Sequence, residues 1–393
     1  MKYLNYDFIA PTHLHYLKSY RYKGTDQSLL YNYILSPLAE LCLRFVPMNV
    51  APNVLTLMGL ACIILPHILY FFVMGDNFAG FIPNWLLWLT ALLHMLYMVI
   101  YVFQEEFRQL GWEASKENKQ QQNKCFQENS SPLGMILDHN FDSMIILLQG
   151  TSMTTAMQFG NTIFSVILYI IPSVPFYIIA HEEYYTHEMN LPIINAAAEG
   201  TISVAVVFAA TAYYGCDMWV QKLPWFYNYQ MNQFVMLMFI ISVIITMPAV
   251  FQKIKKFTSI TSLLKQLRYF FFFNTVILYS ILFSKTNVIQ DHVRAYMYTV
   301  GFTMSKAVGV VALNHVSNQN LPEYQNSIYI FLVILLNTIS GQILGQTIID
   351  EGYLIKFAAT ASFLIHLHFL YNIARQISEA LNIKIFQINS TNK

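Results

Sequence analysis

Ser130-Ser131-Pro132-Leu133-Gly134-Met135-Ile136-Leu137-Asp138-His139-Asn140-Phe141-Asp142-Ser143 opens an apolar stretch that runs on to residue 158. It places two carboxylates four residues apart at the mouth of a membrane span. On a helix, positions i and i+4 share a face, and Gly134 sits one turn earlier on that face, where a ligand could approach the backbone. Two ionised aspartates at a membrane edge are costly unless a cation or a partner compensates them. A divalent metal shared with phosphate oxygens is one use of such a pair, because magnesium prefers carboxylate and phosphate ligands. A helix start whose carboxylates meet interfacial water is the other. The spacing alone leaves both open.

Outward from that stretch, the chain of 393 residues is 56% hydrophobic and 11% charged, against roughly 25% charged residues in a soluble globular domain. An ordinary soluble protein is excluded. The apolar residues fall into about ten blocks, at 51–75, 82–103, 132–158, 160–180, 193–215, 232–251, 267–285, 292–312, 327–349 and 353–374, each near the length of a membrane-crossing helix. We expect an all-α, polytopic integral membrane protein of about ten transmembrane helices. An even count puts both termini on one side, together with the breaks near 104–131, 181–192, 252–266 and 313–327. Most Lys and Arg lie there, among them Lys18, Arg21, Lys253, Lys255, Lys256 and Arg375, so that side is expected to face the cytosol, or the matrix of a mitochondrion.

Before the first span, Leu30, Ile34, Leu38, Leu41 and Phe45 form a helical stripe broken by Pro37, which suits an amphipathic interfacial helix. The expected organisation is an N-terminal segment with that helix (1–50), a helical bundle with a polar insertion near 104–131 (51–251), further transmembrane helices (252–375) and a tail (376–393). The insertion holds the low-complexity run 117–124, which has no means of burying apolar surface. Net charge is +1, so no global field attracts nucleic acid, which is not expected as a partner. Cys42, Cys62, Cys125 and Cys216 show neither zinc spacing nor a disulfide framework. The first fifty residues lack a signal-peptide core and the composition of a transit peptide.

The Gly134/Asp138/Asp142 segment resembles the second half of the signature of class-I CDP-alcohol phosphotransferases, its G-x-x-x-D-x-x-x-D part, in their eukaryotic choline and ethanolamine phosphotransferase branch. Further matches run in the same order. Tyr22-Lys23-Gly24-Thr25-Asp26 with Ser28-Leu29-Leu30, and Ala51-Pro52-Asn53-Val54-Leu55-Thr56-Leu57-Met58-Gly59, look like the branch's amino-terminal region and first span. Glu182-Glu183-Tyr184-Tyr185-Thr186, Leu191-Pro192 and Ala198-Glu199-Gly200 resemble its central loop, and Lys306 followed by Asn314-His315 resembles a carboxy-terminal motif. The resemblance covers roughly residues 20–375.

It implies a site in which four aspartates hold two divalent metals that bridge the diphosphate of a CDP-alcohol while the hydroxyl of diacylglycerol attacks. Asp138 and Asp142 would be the retained metal half-site and His139 a residual base, with Asn53, Gly134, Glu199 and Lys306 as substrate or lipid contacts. The other half departs from the pattern. Aligned on Tyr101, Gln104 and Phe107 stand where aspartates belong, and Gly111-Trp112 replaces Ala-Arg. Met135 replaces the glutamate that would orient His139. Glu105 and Glu106 are each displaced by one position, about 100° around the helix axis, too far for one extra methylene to correct. Electrostatic stabilisation is usually the largest catalytic term, so an inactive relative is expected, a structural, accessory or lipid-binding subunit of a larger membrane complex. It would need no cofactor. The alternative is an active ethanolamine- or cholinephosphotransferase using Mg2+ or Mn2+. Expected partners are phospholipid or diacylglycerol and other membrane subunits. The resemblance implies the endoplasmic reticulum or Golgi, with the mitochondrial inner membrane as alternative.

Other candidates are weaker. His366 and His368 point about 200° apart on a helix and cannot share a metal, so packing is expected of them. His181, Glu182, Glu183, His187 and Glu188 gather enough donors for a metal in a short loop. Glu199 could border the donor cavity or serve structure, and Lys306 could meet a phosphate or snorkel to the interface. The aromatic run Tyr269–Phe273 is expected to face lipid.

Overall fold

Pro132 starts a helix in the computed structural model, where its missing N–H leaves nothing unsatisfied. Ser131 Oγ caps that helix by accepting from the Gly134 N–H at 3.0 Å. The structure describes residues 5–37, 52–116, 131–191, 196–383 and 385, without the side chains of 25, 26, 52, 105–116, 190, 196 and 197. The run 117–124 and the stripe beyond Pro37 lie outside that description.

Among the described residues, ten long helices account for the ten apolar blocks in order: α1 (Pro52–Met74), α2 (Asn84–Lys116), α3 (Pro132–Ala156), α4 (Ile163–Thr186), α5 (Thr201–Tyr214), α6 (Met231–Ile254), α7 (Ile260–Leu282), α8 (Ile289–Ser317), α9 (Ile328–Leu344) and α10 (Glu351–Leu381). Stretches within α1, α2, α4, α6 and α10 are long and apolar enough to cross a membrane by length and composition. Among the described residues the fold is all-helical apart from one short parallel pair, β1 (Gly24–Asp26) on β2 (Met189–Leu191). The protein is a polytopic membrane protein.

The more polar α3 and α8 are shielded by their neighbours. Every residue of α8 from Thr299 to Ser317 is buried, and α8 packs on α3, α4, α7 and α10. Its contact with α3 runs along Gly301, Ser305 and Gly309, spaced by four. A Cβ at Gly301 would overlap Leu147 and one at Gly309 would overlap Asn140 and Phe369, while Ser143 Oγ donates to Ser305 Oγ at 2.7 Å. Small residues at this spacing let two membrane helices approach closely.

The two ends of the chain meet on one side, as the even span count requires. Asn372 Oδ1 accepts from the Tyr6 N–H at 2.8 Å, and Gln376 accepts from Ile9 N and donates to Ile9 O. Gln319, after α8, donates to Phe8 O, and Tyr185 at the end of α4 donates to Gln266 on α7 at 2.6 Å. The basic breaks therefore gather at one end of the bundle.

One expectation is corrected. Tyr269, Phe270 and Phe273 are buried in the main core and only Phe271 of that run is exposed, because the run spans more than one turn of α7 and so presents both faces. Within the N-terminal helix at 29–37, Tyr31 and Leu35 are the buried positions while Leu29, Tyr33 and Ile34 are exposed. Ile34 of the expected stripe is exposed and Leu30 half-buried, an apolar face suited to a membrane surface, while Tyr31 and Leu35 hold the helix to the bundle.

Candidate functional site

Asp138 and Asp142 lie one turn apart on α3 and both turn toward α2. Gln104, buried near the end of the apolar part of α2, donates from Nε2 to Asp138 Oδ1 at 2.6 Å. Two turns earlier, Tyr97 OH lies 3.4 Å from Asp142 Oδ1, longer than a normal O–H···O hydrogen bond. Asp138 is buried and Asp142 half-buried; Gly134, one turn closer to the surface, is also half-buried.

A divalent pair needs several oxygen ligands around each ion, at about 2.0–2.1 Å for magnesium, with the two ions about 3.5–4 Å apart. The described residues do not fit that demand. The position that would supply another carboxylate holds an amide whose N–H points at the oxygen a cation would need, and no three His, Cys, Asp or Glu among the described residues could hold a metal ion. The side chains of Glu105, Glu106 and Phe107 lie outside the described residues.

His139 follows Asp138 and turns the other way, toward α4. Its Nδ1 meets Met135 O at 3.1 Å, and its Nε2 meets Glu183 Oε2 at 2.7 Å with both side chains buried. Met135 provides no carboxylate, and Glu183 supplies one from another helix. Glu182 and Glu183, expected in a loop, lie instead in the last turns of α4, which continues to Thr186, and both are buried. Glu182 is held by Lys253 Nζ at 2.9 Å, and His181 Nδ1 meets Tyr177 O. The donors once grouped as a metal loop are therefore spent separately. An apolar helix ending in two glutamates needs partners for them, and that was the available signal for Glu183.

Glu199 lies in a π-helical turn before α5, where its Oε1 accepts from Ser28 Oγ at 2.6 Å and from the Leu30 N–H at 3.3 Å, and Ser28 Oγ in turn accepts from the Tyr31 N–H. It anchors the start of the N-terminal helix. Asn53 donates to Ile385 O at 2.7 Å and, with Thr56, Leu137, Phe141, Leu370 and Tyr371, lines an apolar cavity of about 200 Å³ between α1, α3 and α10. Lys306 is buried on α8, directly after the Ser305 that meets Ser143 of α3, while Asp138 and Asp142 make their contacts toward α2. The structure thus groups Asp138, Asp142 and Gln104, pairs His139 with Glu183, and leaves Asn53, Glu199 and Lys306 at three other places.

An all-helical membrane bundle with an acidic pair and a buried histidine–glutamate contact near its basic end is the class that this fold and site define. No family model matches the chain. It is 24% identical to the "Uncharacterized CDP-alcohol phosphatidyltransferase class-I family protein 3" of Dictyostelium discoideum, over 97% of this chain and 98% of that one. Choline/ethanolaminephosphotransferase 1 of Arabidopsis thaliana is likewise 24% identical, over 95% and 96% of the two chains, and Ethanolaminephosphotransferase 1 of Homo sapiens 24%, over 98% and 96%. These matches run nearly the full length of both chains, so the chain is similar along its whole length to class-I CDP-alcohol phosphatidyltransferases, as its sequence motifs led us to expect.

Proposed function

We propose that this chain keeps the family's membrane architecture as a lipid-binding or accessory subunit of a larger membrane complex and does not carry out metal-dependent phosphotransfer. One contact carries the reading: Gln104 Nε2 on Asp138 Oδ1 at 2.6 Å. An amide donor compensates the aspartate in the way a cation otherwise would, and it cannot serve as the missing anionic ligand. Without a metal pair the charge developing on a diphosphate would lack its main stabilisation. The lipid proposed is diacylglycerol or a phospholipid, approaching the half-exposed Gly134 and Asp142, and the membrane is that of the endoplasmic reticulum or Golgi, with the mitochondrial inner membrane as the alternative.

The test is turnover by the purified chain in lipid, supplied with diacylglycerol, CDP-ethanolamine or CDP-choline, and Mg2+ or Mn2+. No product above a protein-free control is expected. Product formation that Asp138→Asn abolishes would sink the reading. The accessory role makes a separate demand, that mild-detergent extraction yields one stoichiometric membrane complex; a chain that migrates alone defeats it.

A second reading, an active ethanolamine- or cholinephosphotransferase, is favoured by the His139–Glu183 contact. An imidazole paired with a carboxylate at 2.7 Å has the arrangement of an oriented general base. In that case Glu183→Gln lowers kcat with little change in KM, whereas the first reading leaves no turnover for the substitution to reduce.

A further inference from the structure

Two basic side chains deep in the bundle have no partner among the described residues. Lys306 on α8 is 7% exposed and makes neither a hydrogen bond nor an ion pair; His366 on α10 is 0% exposed, and both its ring nitrogens lack a partner. Among the other buried histidines, only His315 also has a buried ring nitrogen, Nδ1, with no partner and no ring nitrogen in a side-chain contact among the described residues. His67, His94, His139 and His181 each engage at least one ring nitrogen. An unpaired cation inside a membrane protein costs several kcal/mol and marks a functional position by default.

The two groups belong to one place. Thr303 Oγ1 donates to Ser362 Oγ at 3.2 Å across the α8–α10 contact. Lys306 lies three residues beyond Thr303 and His366 four beyond Ser362, so each occupies the same face one turn on. They are close enough to interact electrostatically, and the Phe302 ring stacks on His366 at 6.3 Å. Of the nearby hydroxyls, Ser305 Oγ donates to Gly301 O and Thr303 Oγ1 to Ser362 Oγ, which leaves the Ser362 proton. Leu370, one turn beyond His366 on α10, lines the apolar cavity between α1, α3 and α10.

We propose that Lys306 and His366 bind the carboxylate of a long-chain fatty acid whose acyl chain enters that cavity. The donor count selects the head group. A carboxylate has two oxygens, one for an ammonium and one for an imidazole N–H, and a single negative charge for the Lys306 ammonium, whereas a phosphate monoester would bring a second charge that no further cation at this place offsets. The cavity selects the tail. At about 200 Å³ it is smaller than the roughly 300–1,000 Å³ of sites for drug-sized ligands, so it takes the part of one chain nearest the head group, with the remainder in lipid, and has no room for two chains. This ligand is separate from the lipid proposed for the Asp138/Asp142 side and does not depend on whether the chain is catalytic.

The experiment is equilibrium binding of tritiated palmitic acid to the purified full chain in detergent, with hexadecanol and lysophosphatidic acid as competitors. Saturation near one palmitate per chain is expected, with hexadecanol at least tenfold weaker and Lys306→Met weakening palmitate at least tenfold. The idea fails if hexadecanol competes as well as palmitate, if lysophosphatidic acid competes better, or if a folded Lys306→Met chain binds unchanged. Should that variant not fold, wild-type chain labelled with a diazirine analogue of palmitate decides. Crosslinks on the α10 peptide containing Leu370 and Tyr371 support the site, and crosslinks confined to other helices overturn it.

Discussion

Asp138 shows how one atom's partner separates two functions. Its Oδ1 is held by Gln104 at 2.6 Å, and removing one partner of a buried polar contact costs about 1–3 kcal/mol. Gln104→Leu should therefore lower the thermal unfolding midpoint of the purified chain. Gln104→Asp replaces the donor with a third carboxylate, so a stabilising response to Mn2+ of about 2 °C or more is expected in that variant and none in the wild type, because only a ligand that prefers the folded state shifts the midpoint. An equal response in both proteins would show that the native residues already hold the metal. The His139–Glu183 contact bears a different load. Both side chains are buried at 2.7 Å, and leaving one member of such a pair alone costs about 3–5 kcal/mol. Glu183→Leu should be far more harmful than Glu183→Leu combined with His139→Phe, a coupling that a double-mutant unfolding cycle measures directly. Asp138, Asp142 and His139 could be read from the sequence, since spacing alone puts the carboxylates on one helix face. Glu183 could not, because its role depends on α4 ending beside α3, and a contact 44 residues away leaves no local pattern.

Elements were more legible than contacts. All ten apolar blocks became helices, since a chain in a bilayer must satisfy its backbone within each segment and an apolar run of that length has no other stable form. Less legible was which faces would be inward, because lipid and protein interior are both apolar; Tyr269, Phe270 and Phe273 face core for this reason. Close packing of α8 on α3 instead depends on the small residues Gly301, Ser305 and Gly309. Gly301→Val should cost about 1–3 kcal/mol by overpacking against Leu147, read as a lower unfolding midpoint. A second element prediction concerns the N-terminal segment, which is tied to the α4–α5 side by the β1–β2 pair and by Ser28 on Glu199. Ser28→Ala removes the donor to Glu199 and the acceptor for the Tyr31 N–H, a loss of roughly 1–2 kcal/mol of local stability. Tryptic cleavage at the exposed Arg21 and Lys23 should accelerate while the helical bundle remains resistant. Unchanged cleavage would mean that the strand pair alone holds the segment.

At the scale of the whole molecule, charge and connectivity make one joint prediction about orientation. The amino-terminal segment, the end of α10, the α4 terminus and the turn after α8 bond to one another at one end of the bundle, through Gln376, Gln319, Tyr184 and Tyr185. Lys253, Lys255, Lys256 and Arg375 lie at that end, so the positive-inside rule assigns it to the cytosol or matrix. At the other end of the bundle, the segment between α5 and α6 exposes Trp225, Tyr227 and Tyr229, the aromatic composition common at a membrane interface. In a background with the four native cysteines replaced by serine, Asn320→Cys and Asn228→Cys place one thiol at each end, both at exposed positions. An impermeant maleimide added to sealed vesicles of known orientation should label Asn320→Cys from the cytosolic or matrix face and Asn228→Cys only from the opposite face. Labelling of both from one face would break the ten-span topology. Reversed labelling would keep the fold and put the Asp138/Asp142 site on the side away from cytosolic nucleotides, which would by itself remove the active-phosphotransferase reading.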